Sequence, residues 1–194
     1  MSQELEIEFK NLLSKDEYQD LFDSYHFSEV KPIIQENYYF DTEDLVLKEQ
    51  SCSVRIRIVK EQDQAEITLK SPSHNHDHLV ETTENIPLAQ AQQIMKAGQV
   101  ILPQSIADQL SQEGLKVSQL SLITWLKTKR FEKNYQDCLL VLDHSWYGQA
   151  SDYELELEAP SHDKGLDLFY TILLEHNIPQ RDKVNKVARA FSQL

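Results

Sequence analysis

This chain has little of what builds linkers, staples and membrane spans. Four glycines and six prolines in 194 residues leave no flexible or low-complexity stretch, so residues 1–194 are read as a single domain. Two isolated cysteines, Cys52 and Cys138, make no disulfide framework, and a reducing cytoplasm is the expected compartment. No apolar run approaches the ~20 residues a membrane helix needs, and the acidic, alternating opening segment is unlike a signal peptide. Basic residues are also scarce. Nineteen Lys and Arg against 32 Asp and Glu give a net charge of −13, so neither a nucleic-acid nor a membrane partner is expected. There is no Walker-A loop and no Gly-rich cradle, so any phosphate must be held by side chains. The strand pattern argues for no Ser-His-Asp or Cys-His arrangement, and covalent nucleophilic catalysis is not expected.

What is present is alternation. Successive strand side chains point to opposite faces. As a strand over residues 3–12, the opening segment puts Glu4, Glu6, Glu8 and Lys10 on one face and Leu5, Ile7 and Phe9 on the other. Residues 152–159 repeat this with Glu154, Glu156 and Glu158 opposite Leu155 and Leu157. Residues 51–60 set Ser53, Arg55 and Arg57 opposite Val54, Ile56 and Ile58; residues 64–70 set Glu66, Thr68 and Lys70 opposite Ile67 and Leu69. A hairpin is expected between these two, through Gln62-Asp63. Further strands are read at 34–42, 78–86, 120–133 and 138–147. Helices are expected at 15–27 behind the Ser14–Glu17 capping box, at 88–98 closed by Gly98, at 103–113, at 163–176 and at 183–193. The fold class is therefore α+β. About eight antiparallel strands, able to close into a barrel, are flanked by helices.

Two arrangements of the charged faces compete. In one they meet water, as alternating strands usually do. In the other they point inward, and the apolar faces are covered by the amphipathic helices. The charges are sorted by strand: acidic at Glu4, Glu6, Glu8 and at Glu154, Glu156, Glu158; basic at Arg55, Arg57, Lys70, and at Lys127, Lys129, Arg130. A solvated face mixes signs, because like charges side by side destabilise. An acidic wall would hold hard divalent cations and a basic wall phosphate oxygens. That combination suits metal-assisted phosphoryl chemistry.

Glu6-x-Glu8-x-Lys10 resembles the N-terminal ExExK signature of the CYTH superfamily, the triphosphate tunnel metalloenzymes. Tyr39-Phe40-Asp41-Thr42, Arg55-x-Arg57, Thr68-x-Lys70, Thr128-Lys129-Arg130, Asp143, Glu154-x-Glu156-x-Glu158 and Lys186-x-x-Arg189 resemble the family's later motifs in order. The resemblance spans nearly the whole chain. It implies an eight-stranded closed tunnel with a charged interior, a requirement for Mg²⁺ or Mn²⁺, and a small-molecule triphosphate substrate. Members hydrolyse inorganic triphosphate, thiamine triphosphate or RNA 5′-triphosphate ends, and some cyclise ATP. Carried over, Glu6, Glu8, Asp143, Glu154 and Glu156 would ligate metal. Arg55, Arg57, Lys70, Arg130, Lys186 and Arg189 would hold phosphate. Lys10, with Glu6 and Glu8, would serve catalysis. The chain departs from the family at 78–84, which lacks a common Arg and leaves Glu81 as the acidic candidate, and at Asn185, where Ser is common.

Other residues are read more plainly. Lys127 has the parity of the outer face, and Lys129 shares it unless a bulge intervenes. Arg181 and Lys183 read as solvated charges. Tyr39 is either core or substrate contact. His74, His76 and His78 fall in a polar loop without zinc-like spacing. The expected function is a metal-dependent triphosphatase, as monomer or homodimer. The alternatives are a class IV-like adenylate cyclase and a polyphosphate- or nucleotide-binding module without turnover.

Overall fold

The computed structural model describes residues 2–72, 79–182 and 184–192; of residues 2–6 and 79 it describes the backbone alone. The chain begins with β1 (Ser2–Glu6), β2 (Glu8–Leu13), α1 (Lys15–Ser24), β3 (Ile33–Asp41) and α2 (Val46–Glu49). It continues through β4 (Ser53–Val59), β5 (Gln64–Pro72), β6 (Leu79–Pro87), α3 (Leu88–Ala97), β7 (Gln99–Ile101) and α4 (Gln104–Gln112). It ends with β8 (Gln119–Tyr135), β9 (Cys138–Tyr147), β10 (Ala150–Glu158), α5 (His162–Glu175) and α6 (Lys186–Phe191). The class is α+β with an antiparallel sheet, as expected.

Contacts divide the chain into two compact units. One takes the residues up to Glu6 and Glu36–Trp125; the other takes Ile7–Gln35 and the residues from Leu126 on.

In the first unit β1, β6, β5 and β4 form antiparallel ladders in that order. Val54 and Ile56 of β4 and Ile67 and Leu69 of β5 are fully buried with Phe40, under Ala91 of α3 and Ile106 and Leu110 of α4. The β4–β5 hairpin forms where it was expected. With no glycine in the connection, Glu61 takes the left-handed conformation at φ 72°. Gly98 does the same at φ 69° to close α3, as its position predicts.

In the second unit β8, β9, β10 and β2 are antiparallel neighbours in that order. Phe131, Leu140, Leu142, Leu155, Leu157 and Phe9 make one apolar face, buried with Leu21 of α1 and Phe169 and Ile172 of α5. The Ser14 capping box is present in full. Gln136 and Asp137, both at positive φ, turn β8 into β9 as a two-residue hairpin.

Several expectations are corrected. The opening strand is two strands parted at Ile7, because residues 2–6 pair with β6 and residues 8–13 with β10. That break and the short β7 raise the count to ten described strands. The helix expected over 15–27 stops at Ser24, where His26 turns left-handed at φ 55°. The last helix is only Lys186–Phe191. The sheet order ends at β1 on one side and at β2 on the other, with no ladder joining them among the described residues, so the sheet is not closed.

Candidate functional site

The second unit carries a charged face on the side of its sheet opposite the apolar core. The antiparallel registers bring it together: Arg130 lies opposite Asp143, Asp143 opposite Glu154, Glu156 opposite Lys10, and Glu158 opposite Glu8. This face is not solvated. Asp143, Glu154 and Glu156 are 0%, 1% and 3% exposed. One carboxylate oxygen from each lies within 4.8 Å of the others. Because Leu155 and Leu157 are also fully buried, β10 is covered on both faces.

Three buried carboxylates at this spacing stay ionised only if cations offset burial and mutual repulsion. Arg130 supplies a two-pronged contact: Nε donates to Asp143 Oδ1 at 2.9 Å and Nη2 to Oδ2 at 2.7 Å. Nη2 also donates to Glu156 Oε2 at 2.5 Å. Lys186, from α6, pairs through Nζ with Asp143 at 2.9 Å and with Glu154 and Glu156. Arg189, one turn further on, donates from Nη1 and Nη2 to Glu154 at 3.1 and 3.0 Å, and its Nε lies 2.8 Å from Asp152. Lys10 pairs with Glu8 at the near end of β2.

The titration behaviour follows. Burial would raise the Glu156 carboxyl, but Lys186 and Arg130 outweigh it and hold it well below the usual range. Burial would lower the Lys186 ammonium, but Asp143 and Glu156 push it above its ordinary value. Lys10 is raised in the same way, Glu8 and Glu156 overcoming burial. Glu158 goes the other way. Burial raises it, and the neighbouring Glu156 and Glu8 add to the rise, while Arg130 opposes it only in part.

The first unit carries a basic face. Arg55 and Arg57 of β4 share a face with Lys70 of β5 through the Ser53–Lys70 and Arg55–Thr68 registers. Glu81 of β6 lies opposite Lys70 and pairs with it. Burial would raise the Glu81 carboxyl, but Lys70 and Arg55 draw it down. Arg57 Nε donates to Asn37 Oδ1 at 3.1 Å. Arg55 Nε is buried with no hydrogen-bond partner among the described residues.

Arg130, Lys186 and Arg189, expected on phosphate, thus stand among the carboxylates. The helix at 183–193 was expected to cover an apolar face; α6 instead brings two cations to the charged one. Glu6 keeps its strand position, but its side chain lies outside the described residues, as do His74, His76, His78 and Lys183. Lys129 sits over the Phe131 ring at 5.1 Å, on the apolar side, as its parity requires. Arg181 is not a free charge: it donates to Glu17 at 2.8 and 2.9 Å. Asp41 of the Tyr39–Thr42 motif is structural. Its carboxylate accepts the backbone N–H groups of Thr42, Leu47 and Lys48 at 2.7–3.0 Å and caps α2. Sequence reasoning missed Asn37 and Asp152. For Asn37 the available signal was a polar residue sharing a strand face with buried Gln35 and Tyr39.

Fold, buried carboxylates and basic face together define a CYTH protein. The chain belongs to the CYTH domain family, whose model matches residues 4–191. It is 34% identical over 198 residues to YjbK of Bacillus subtilis, a protein named provisionally as a triphosphatase, covering 100% of this chain and 97% of the relative. Among solved structures it is similar to a Bacillus halodurans protein described provisionally as an adenylate cyclase, at TM-score 0.88 and 34% identity, covering 98% of this chain and 100% of that one. It shares its fold with HpAC1 of Hippeastrum, described as revealing a dominant triphosphatase activity, at TM-score 0.69 and 22% identity over 97% of this chain and 95% of that one.

Proposed function

We propose that this chain is a divalent-metal-dependent phosphohydrolase acting on a triphosphate-containing substrate, either inorganic triphosphate or an organic one such as thiamine triphosphate. The observation that carries this reading is the buried trio Asp143, Glu154 and Glu156, with one oxygen of each inside 4.8 Å. A module that only bound polyphosphate would need cations and no such trio. The name of the Bacillus subtilis relative, 34% identical along the whole chain, supports the same activity.

The donor set fits Mg²⁺ or Mn²⁺, since both are hard ions that take carboxylate oxygens. Asp143, Glu154 and Glu156, with Glu8 and Glu6 from the ExExK segment, would hold the ion. When bound, it would supply charge neutralisation at the phosphoryl oxygens and a more acidic water. Arg55, Arg57 and Lys70 bind and orient the phosphate chain, and the buried Nε of Arg55 is a donor with no acceptor among the described residues. Lys10 orients water or phosphate beside the carboxylates. Arg130, Lys186 and Arg189 pair with the carboxylates, and Lys186 and Arg189 also offer donors to phosphate oxygens.

Residues 1–194 act in this proposal as one domain, a reading supported by a family match that runs through both units. The two free, buried thiols suit a reducing cytoplasm.

A second reading, cyclisation of ATP to cyclic AMP, is favoured by the description of the Bacillus halodurans relative. One panel decides between them: inorganic triphosphate, thiamine triphosphate and ATP, each with Mg²⁺ and with Mn²⁺, read for phosphate and for cyclic AMP. Metal-dependent phosphate release is expected. Cyclic AMP as the main product would replace hydrolase by cyclase, and binding without turnover would leave a binding module.

A further inference from the structure

Asp152 opens the charged face of β10, two residues before Glu154 and on the same side of the strand. It is not one of the carboxylates of the buried trio. The β9–β10 register sets Tyr147 opposite Ala150, which places the Tyr147 phenol diagonally beside Asp152. Its hydroxyl donates to Asp152 Oδ2. Arg189 Nε lies 2.8 Å from the same oxygen, a close ion pair rather than an aligned hydrogen bond. The far edge of that guanidinium donates from Nη1 and Nη2 to Glu154 at 3.1 and 3.0 Å. Tyr147 and Arg189 are both buried, so the series Tyr147, Asp152, Arg189, Glu154 runs through the interior. A guanidinium is planar and rigid, and fixing its Nε edge fixes where its Nη pair points. Asp152 and Glu154 are the two carboxylates that pair with Arg189 among the described residues. Without Asp152 the guanidinium would lose its Nε contact and turn its whole charge onto Glu154, the group a metal ion must also reach.

We propose that Asp152, held by Tyr147, is a positioning residue for the metal site: it orients Arg189, and through it Glu154, and takes a share of the Arg189 charge so that Glu154 can serve a divalent cation. This rests on the reading that Glu154 ligates metal. The test is calorimetric titration of the full-length, metal-free chain with Mg²⁺, without substrate. Asp152→Asn removes the charge at nearly constant shape and should raise the Mg²⁺ dissociation constant about tenfold, the lower end for a group that supports a metal ligand. Tyr147→Phe tests the same link with the Asp152 charge in place and should raise it about threefold, the scale of one modest hydrogen bond. In an Arg189→Met background neither exchange should change it further, because Asp152 acts through Arg189. Arg189→Gln, which can still hydrogen-bond Glu154, takes its place if Arg189→Met does not fold. The inference is overturned if Asp152→Asn leaves the dissociation constant unchanged or lower. It is also overturned if the Asp152→Asn effect is equal in both backgrounds, as a general loosening of the fold or a remote charge effect would make it. If Glu154→Gln leaves Mg²⁺ binding unchanged, the metal reading of Glu154 fails, and this inference with it.

Discussion

The charged face of β10 and the charged face of β4 come from the same alternating pattern, but each unit handles its charge differently. Around β10 the carboxylates are almost wholly buried, and each is met by a cation brought from another element: Arg130 from β8, Lys186 and Arg189 from α6. Around β4 the side chains are half-buried. Lys70 and Glu81 keep 24% and 22% of their side-chain surface exposed, an amide accepts from Arg57, and one Arg55 nitrogen has no hydrogen-bond partner among the described residues. The first arrangement makes ionised carboxylates tolerable in a low-dielectric setting. The second leaves the Arg55 Nε donor without an acceptor among the described residues. Burial therefore separates a set of carboxylates suited to a metal from a set of cations suited to an anion, a difference that charge pattern alone does not reveal.

Four experiments can break or sharpen this contrast. The largest effect is expected at Glu156. Glu156→Gln keeps the shape and removes the charge, and should cost about 10³-fold in triphosphatase kcat, the upper end for loss of an electrostatic stabiliser. It should also abolish stabilisation by Mg²⁺, which in the unmodified protein should reach ~2.7 kcal/mol at metal a hundredfold above its dissociation constant. Full activity in this variant would make the carboxylate cluster structural only.

Arg130→Met comes next. It strips the bidentate partner from Asp143 and one partner from Glu156, and should destabilise by ~3–5 kcal/mol in urea unfolding, as breaking a buried pair does. A loss below ~1 kcal/mol would mean that Lys186 and Arg189 suffice.

The apolar sides of the two units can be compared in the same way. A Cβ on Gly165 of α5 would lie 2.4 Å from Phe9 Cε2 and 2.6 Å from the Ala159 Cβ, whereas one on Gly98 meets nothing within 4 Å. Gly165→Ala should cost ~1–3 kcal/mol by overpacking. Gly98→Ala should cost about 1 kcal/mol, through its positive φ alone. Differential scanning calorimetry of the pair checks the order, and equal costs would mean that α5 yields freely.

The smallest stability effect is expected at Lys70. Lys70→Ala should change stability by no more than about 1 kcal/mol, since the pair with Glu81 is partly exposed. It should nevertheless raise KM for inorganic triphosphate about tenfold, one charge-assisted contact. A large stability loss with unchanged KM would make the pair a structural tie.

Much of this was legible in the chain. The alternation of Glu154 to Glu158 and of Arg55 and Arg57 placed them correctly on one face of each strand, because the pleat has a period of two. The Ser14 box and the glycine at position 98 set helix ends by local backbone chemistry. The break at Ile7 was not legible, because nothing local says that a strand changes partners there. Nor was β7: three residues carry too little period. The cap that Asp41 gives to α2 looked like part of a site motif, since a carboxylate that binds backbone amides and one that binds a metal are the same letter.

By itself the sequence determined which side chains share a face, where several helices begin and end, and that the net charge is −13. These depend on local backbone periods, capping chemistry and net charge. Only the tertiary structure decided that α6 lays Lys186 and Arg189 on the acidic face, that Arg130 serves carboxylates, and that Asn37 reaches Arg57. Those contacts join positions at least 13 residues apart, and burial, which fixes whether a charge needs a partner, exists only once the chain has folded.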